Sequence, residues 1–147
     1  MNMMDLVGRC GLYCGACVIY RAQRDDQSLR AKIAHRYNCS TDEVRCNGCG
    51  ALTPGCWGNG CKIFQCTIDM GVNFCFERKK LETCGIFNNL AKGYLEDGVD
   101  LRKNLQKIKE GKVKEWLTES QKKYTCKECN KPLAYSSKCH HCGAQII

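Results

Sequence analysis

The sequence has no run approaching the roughly 18 consecutive apolar residues that a membrane-spanning helix requires, so no membrane partner is expected. Its first residues, MNMMDLVGRCGLYCGAC, lack a basic region followed by an apolar run and a small-residue cleavage site. No secretory signal is read there, and a cytoplasmic location is expected. Also missing are a phosphate-binding Gly-x4-Gly-Lys-Ser/Thr loop, a Gly-x-Ser-x-Gly elbow and a His-Glu-x-x-His helix, so nothing points to catalysis through those chemistries. Proline occurs only twice and histidine only three times in 147 residues. What the chain has in excess is cysteine, 15 residues of it.

That excess changes how the composition is read. The chain is 44% hydrophobic and 26% charged, the balance of a folded protein, but cysteine inflates the apolar share. Core burial alone is therefore lean, and a disulfide or metal framework must contribute. Thiols stay reduced in the cytoplasm, which favours metal. The formal net charge of +8 is a weak argument for nucleic acid, because each zinc ion held by four thiolates adds about −2.

Two segments read as amphipathic helices. In DQSLRAKIAHRYN, Leu29, Ile33 and Tyr37 recur at every fourth position, and Phe87, Leu90 and Tyr94 share a second helical face. Ser40 and Glu43 have the form of a capping box. The stretch 46–66 is rich in cysteine and glycine and reads as an irregular loop, with helical pattern resuming from about Val72. Asp100 can cap a helix whose seam is Leu101, Leu105 and Ile108; after an interruption at Gly111, Val113, Trp116 and Leu117 resume the spacing.

The clearest motif is CKECNKPLAYSSKCHHCG, residues 126–143. Two Cys-x-x-Cys turns can aim Cys126, Cys129, Cys139 and Cys142 at one ion in a closed tetrahedron, and a module this small needs the metal to fold. The spacing predicts a minimal zinc ribbon. The expected fold class is thus α+β: an irregular, mainly helical, cysteine-rich metal-bound domain over 1–122, followed by a small C-terminal β zinc ribbon over 123–147.

Upstream, Cys10, Cys14 and Cys17 cluster in CGLYCGAC, and Cys46 and Cys49 form a second knuckle in CNGCG. Cys-x3-Cys-x2-Cys is the spacing of radical S-adenosylmethionine enzymes, but the chain is too short for their barrel. Cys56, Cys61, Cys66, Cys75 and Cys84 complete the candidate ligands. One grouping places Cys14, Cys17, Cys46 and Cys49 in facing knuckles and Cys61, Cys66, Cys75 and Cys84 elsewhere. All-thiolate coordination suits zinc or, for the N-terminal cysteines, an iron-sulfur cluster. Cys39 reads as a buried small residue. His35, His140 and His141 read as surface residues rather than ligands, and Asp25 and Asp26 as a solvated feature.

CGLYCGACVIYRA at 10–22, CNGCG at 46–50, CKIFQC at 61–66, the following GVNFCFE and Cys84 together resemble the cysteine-rich family known as domain of unknown function 3795. GVDLRKNLQKIKEGKVKEWL at 98–117 and the terminal cysteines are similar to its extended members. The resemblance implies metal binding through these cysteines and no established activity. In place of a second cysteine that members often carry shortly after the position of Cys75, this chain has Arg78.

The reading that follows is a zinc-binding protein with structural thiolate sites, a non-catalytic interaction module with a protein partner. An iron-sulfur redox or metal-sensing protein is the alternative. A nucleic-acid-binding ribbon is the second alternative: residues 101–131 carry ten Lys or Arg against four Glu, with Trp116, Tyr124 and Tyr135 available to stack on bases.

Overall fold

Where short apolar seams alternate with caps and glycines, the chain folds into short helices. The computed structural model of the chain describes residues 3–51, 56–57, 61–77, 84–135 and 138–145. Among these lie six α-helices: α1 (Val18–Asp25), α2 (Gln27–Arg36), α3 (Lys62–Met70), α4 (Gly85–Glu96), α5 (Leu101–Lys109) and α6 (Val113–Lys123). None is long and apolar enough to cross a membrane.

Asp26 explains why the first helical segment is two helices. Its extended backbone ends α1, and its carboxylate accepts a hydrogen bond from the Leu29 N–H at 3.1 Å, capping α2. Asp100 caps α5 in the same way, accepting from the Lys103 N–H at 3.1 Å. The Ser40–Glu43 capping box is formed. Helix α3 starts inside the stretch read as a loop and stops at Gly71, whose φ of +69° is a left-handed C-terminal stop. Arg78 and Pro54 lie outside the described residues.

Three apolar clusters result. The largest joins Leu6, Tyr13, Tyr20, Ile63, Phe87, Leu101, Leu105 and Trp116, and it also takes in Cys10, Cys14 and Cys75. A second holds Ile19, Ala22, Ile33, Ala34, Val44 and Cys46 between α1, α2 and the turn that follows. The third, in the terminal module, has Leu133 with Cys126 and Cys139 as its buried members. One leucine and two cysteines are far less than a folding unit needs.

The α+β expectation is overturned, because the described residues contain no β-strand. Among its described residues the terminal module has only isolated bridges, Thr125 with Pro132 and Lys138 with Gln145. Each bridge closes a single Cys-x-x-Cys turn on itself. The segment expected to form a hairpin spends its hydrogen bonds on the helical body instead. Leu133 N–H donates to the Tyr124 carbonyl at 2.7 Å, and Tyr135 N–H to the Ala16 carbonyl at 2.8 Å. Pro132 has no N–H to extend a ladder.

Tyr135 is the anchor of this attachment. Its hydroxyl donates to the Tyr13 carbonyl at 3.1 Å and accepts from the Tyr13 N–H at 3.2 Å, while its ring meets Tyr94 and Tyr124 edge-on. Trp116 is buried and makes an edge contact with Tyr13. Both aromatics are thus used in internal packing.

Candidate metal centre

The terminal site is built from two turns of the same design. In the first, Cys126 N–H donates to the Lys131 carbonyl at 2.8 Å and Asn130 N–H to the Cys126 carbonyl at 2.9 Å. In the second, Cys139 N–H donates to the Ala144 carbonyl at 2.8 Å and Gly143 N–H to the Cys139 carbonyl at 2.9 Å. Asn130 and Gly143 occupy matching places with φ of +63° and +77°. Left-handed backbone at these points reverses the chain tightly enough for both cysteines of a turn to face inward, and glycine and asparagine tolerate it best.

The four sulfurs lie within 4.8 Å of one another. Cys126 Sγ is 3.7 Å from Cys142 Sγ, and Cys129 Sγ is 3.7 Å from Cys139 Sγ. A disulfide would bring a pair to about 2.05 Å, whereas zinc–sulfur bonds of about 2.3 Å arranged tetrahedrally put neighbouring sulfurs about 3.8 Å apart. The observed spacing fits the edge of a metal tetrahedron. Backbone N–H groups of Cys129 and Glu128 pointing at Cys126 bring its thiol down to about 7. Cys142 receives similar help from the Ala144 N–H, but burial and hydrogen bonds to the other three cysteines push it up to about 12. Four thiols so close cannot all ionise unless a cation balances them.

Upstream, α1 and its flanks assemble a looser group. Arg24 Nη1 donates to the Cys46 carbonyl at 3.0 Å, its Nη2 donates to Asn47 Oδ1 at 3.2 Å, and the Gln23 side chain accepts from the Cys46 N–H at 3.0 Å. These contacts hold the CNGCG knuckle against α1, and the knuckle also packs on the N-terminal turn Met3–Leu6. Gly48 is the fulcrum: φ is +98°, and a Cβ there would stand 2.1 Å from the Asp5 carbonyl oxygen, a contact no side chain permits.

The knuckle thereby delivers Cys49 to Cys14, whose sulfur accepts the Cys49 N–H at 3.4 Å. The two thiols share a hydrogen bond that raises Cys14 and lowers Cys49 to about 7, with Arg9 also favouring the Cys49 thiolate. Burial raises Cys10 and Cys17, and Cys49 raises both further; Cys75 and Cys61 also act on Cys10. The structure thus places Cys49 within electrostatic reach of Cys10, Cys14 and Cys17, with Cys61 and Cys75 near Cys10. Among the described residues, however, no three upstream sulfurs converge within 4.8 Å.

Cys46 packs in the second apolar cluster. Cys61 and Cys75 lie near enough to Cys10 to act on it electrostatically. Cys66 and Cys84 are half-buried and Cys56 is buried, while Cys39 is half-buried against the second cluster.

Sequence reasoning missed one constellation. Asp25, at the end of α1, meets His140 and His141 from the terminal module, and one ligand atom from each lies within 4.8 Å of the other two. Their side chains are 14%, 9% and 14% exposed, respectively, so none is the solvated residue its surroundings in the sequence suggest. No spacing rule links Asp25 to His140, 115 positions away, or to its neighbour His141. The only available hint was that paired histidines inside a metal knuckle project together.

A small helical protein with a four-thiol cluster that could hold a metal ion is the class that fold and site define. The chain belongs to the family described as Protein of unknown function (DUF3795), whose model matches residues 6–89, more than half of the chain. The terminal four-cysteine site lies beyond the matched region. No curated protein and no solved structure matches the chain.

Proposed function

We propose that this protein is a zinc-binding protein in which Cys126, Cys129, Cys139 and Cys142 hold a structural zinc ion, and that it works as a non-catalytic interaction module for a protein partner. One observation carries the metal reading: the 3.7 Å sulfur spacing, which matches the edge of a zinc tetrahedron and no covalent alternative. Zinc suits four thiolates with no open position, a closed set typical of structural rather than catalytic sites. Bound there, the ion supplies cross-linking, while the protein supplies the two turns and the Tyr135 anchor. The interaction reading draws on apolar side chains left exposed on two contacting helices, Ile68 and Met70 of α3 and Ile86 and Leu95 of α4.

A second reading is an iron-sulfur cluster with a redox or metal-sensing role. It draws on three clustered cysteines, Cys10, Cys14 and Cys17, with the distant Cys49 brought beside them by the fold.

Cobalt substitution tests the zinc reading. Full-length apoprotein titrated with Co(II) is expected to develop intense thiolate-to-metal absorption that saturates and is displaced by zinc. Absence of that absorption in the wild-type chain would refute it.

A further inference from the structure

Two imidazoles and a carboxylate converge where α1 meets the terminal module. Asp25 Oδ2 lies 3.0 Å from His140 Nε2 and 3.4 Å from His141 Nε2. The two rings sit with centroids 4.1 Å apart, tilted by 39°. Arg21 Nη1 approaches the same oxygen at 3.5 Å. Three nitrogen groups thus point at one carboxylate oxygen, which has good in-plane acceptor directions for two.

The hydrogen bonding leaves a deficit. His141 Nε2 and His140 Nδ1 are buried atoms without a hydrogen-bond partner. Buried polar nitrogens are normally satisfied, and an exception calls for an explanation such as an ion. The distances supply it. Zinc bonds to nitrogen and oxygen of about 2.1 Å, arranged tetrahedrally, separate neighbouring ligand atoms by about 3.4 Å. The observed 3.0 and 3.4 Å fall close to that edge. An ion bonded to both Nε2 atoms and to Oδ2 would satisfy His141 and relieve the crowding on Asp25.

We propose that Asp25, His140 and His141 form a second divalent-metal site, taking a zinc-class ion through two imidazole nitrogens and one carboxylate oxygen. The site goes beyond the thiolate centre and uses none of its ligands. Its ion fastens the terminal module to α1, at a point separate from the Tyr135 anchor. Arg21, whose guanidinium lies 4.7 Å from the Tyr20 ring centroid, is a positioning residue that orients the Asp25 carboxylate from outside the coordination sphere. Two histidines and one carboxylate suit zinc and related borderline cations better than magnesium or calcium, which prefer all-oxygen sets.

The experiment is cadmium-113 NMR on the full-length protein loaded with cadmium alone. The expected spectrum has one resonance in the nitrogen and oxygen range in addition to those in the thiolate range. Asp25→Asn and, separately, His141→Gln are each expected to abolish the first and retain the thiolate resonance of the terminal site. Each variant should also bind about one ion fewer per chain. A wild-type spectrum with thiolate resonances only would overturn the proposal, and this needs no variant to fold. A nitrogen and oxygen resonance that survives both substitutions would overturn it equally. The reverse pattern, with that resonance present and the thiolate ones missing, would strike the structural-zinc reading and leave this site standing.

Discussion

Replacing Cys126 or Cys139 with serine is expected to remove at least about one metal ion per chain and to open the terminal module to proteolysis, while the helices of the body persist. The reason lies in the size of the module's own core. Its buried cluster has one aliphatic side chain, Leu133, and otherwise the two cysteines being replaced. Without an ion, the turns at 126–131 and 139–144 retain only a few short-range hydrogen bonds, which cannot offset the entropy of ordering the chain. The Tyr135 anchor would still tether the segment to Tyr13 and Ala16. Limited proteolysis with mass analysis, together with metal content, checks this; unchanged resistance and unchanged metal would contradict it.

Phe87→Ala should act on the other half of the molecule. Phe87 is fully buried in the cluster shared by α4, α5 and the N-terminal turns, and the Arg102 guanidinium lies 5.1 Å from its ring centroid. Truncation leaves a cavity that a close-packed core fills only partly, and the expected loss is about 3–5 kcal/mol. Urea unfolding followed by helical circular dichroism should show the drop as a lower midpoint. Metal in the terminal site should be unaffected under native conditions, since Phe87 has no part in that cluster. A loss below about 1 kcal/mol would mean that the packing around Phe87 contributes little.

The contrast between these variants reflects which features the sequence made legible. Local signals were read well where one residue decides the outcome. Asp100 caps α5, Gly111 separates α5 from α6, and Leu101, Leu105 and Ile108 form the buried seam. The terminal thiols were legible because Cys-x-x-Cys fixes the direction of two side chains within one turn. The β ribbon was not, since strand pairing depends on where a segment's hydrogen bonds go, and those of residues 133–135 go to Tyr124 and Ala16. Helix α3 was hidden by the glycines and cysteines that precede it, although KIFQCTIDM itself contains no helix breaker.

Long-range groupings were the least accessible. Cys49 meets Cys14 across 35 positions because Gly48 lets the knuckle lie against Asp5, a fact visible only in three dimensions. Asp25 and the histidine pair were discounted for the same reason: each has ordinary neighbours in sequence, and only packing of the terminal module on α1 joins them. The basic stretch 101–131 reads in sequence as a nucleic-acid surface, yet Trp116 is buried and Tyr135 is bonded to Tyr13. Base stacking on those two rings would require unpacking them.

Elemental analysis of the protein, purified without oxygen and paired with its absorbance spectrum, decides whether zinc holds the terminal turns together. Bound zinc is expected, at least about one ion per chain, at the terminal thiolates, lost in the Cys126→Ser variant. A terminal module that resists protease with no zinc in the preparation would contradict it.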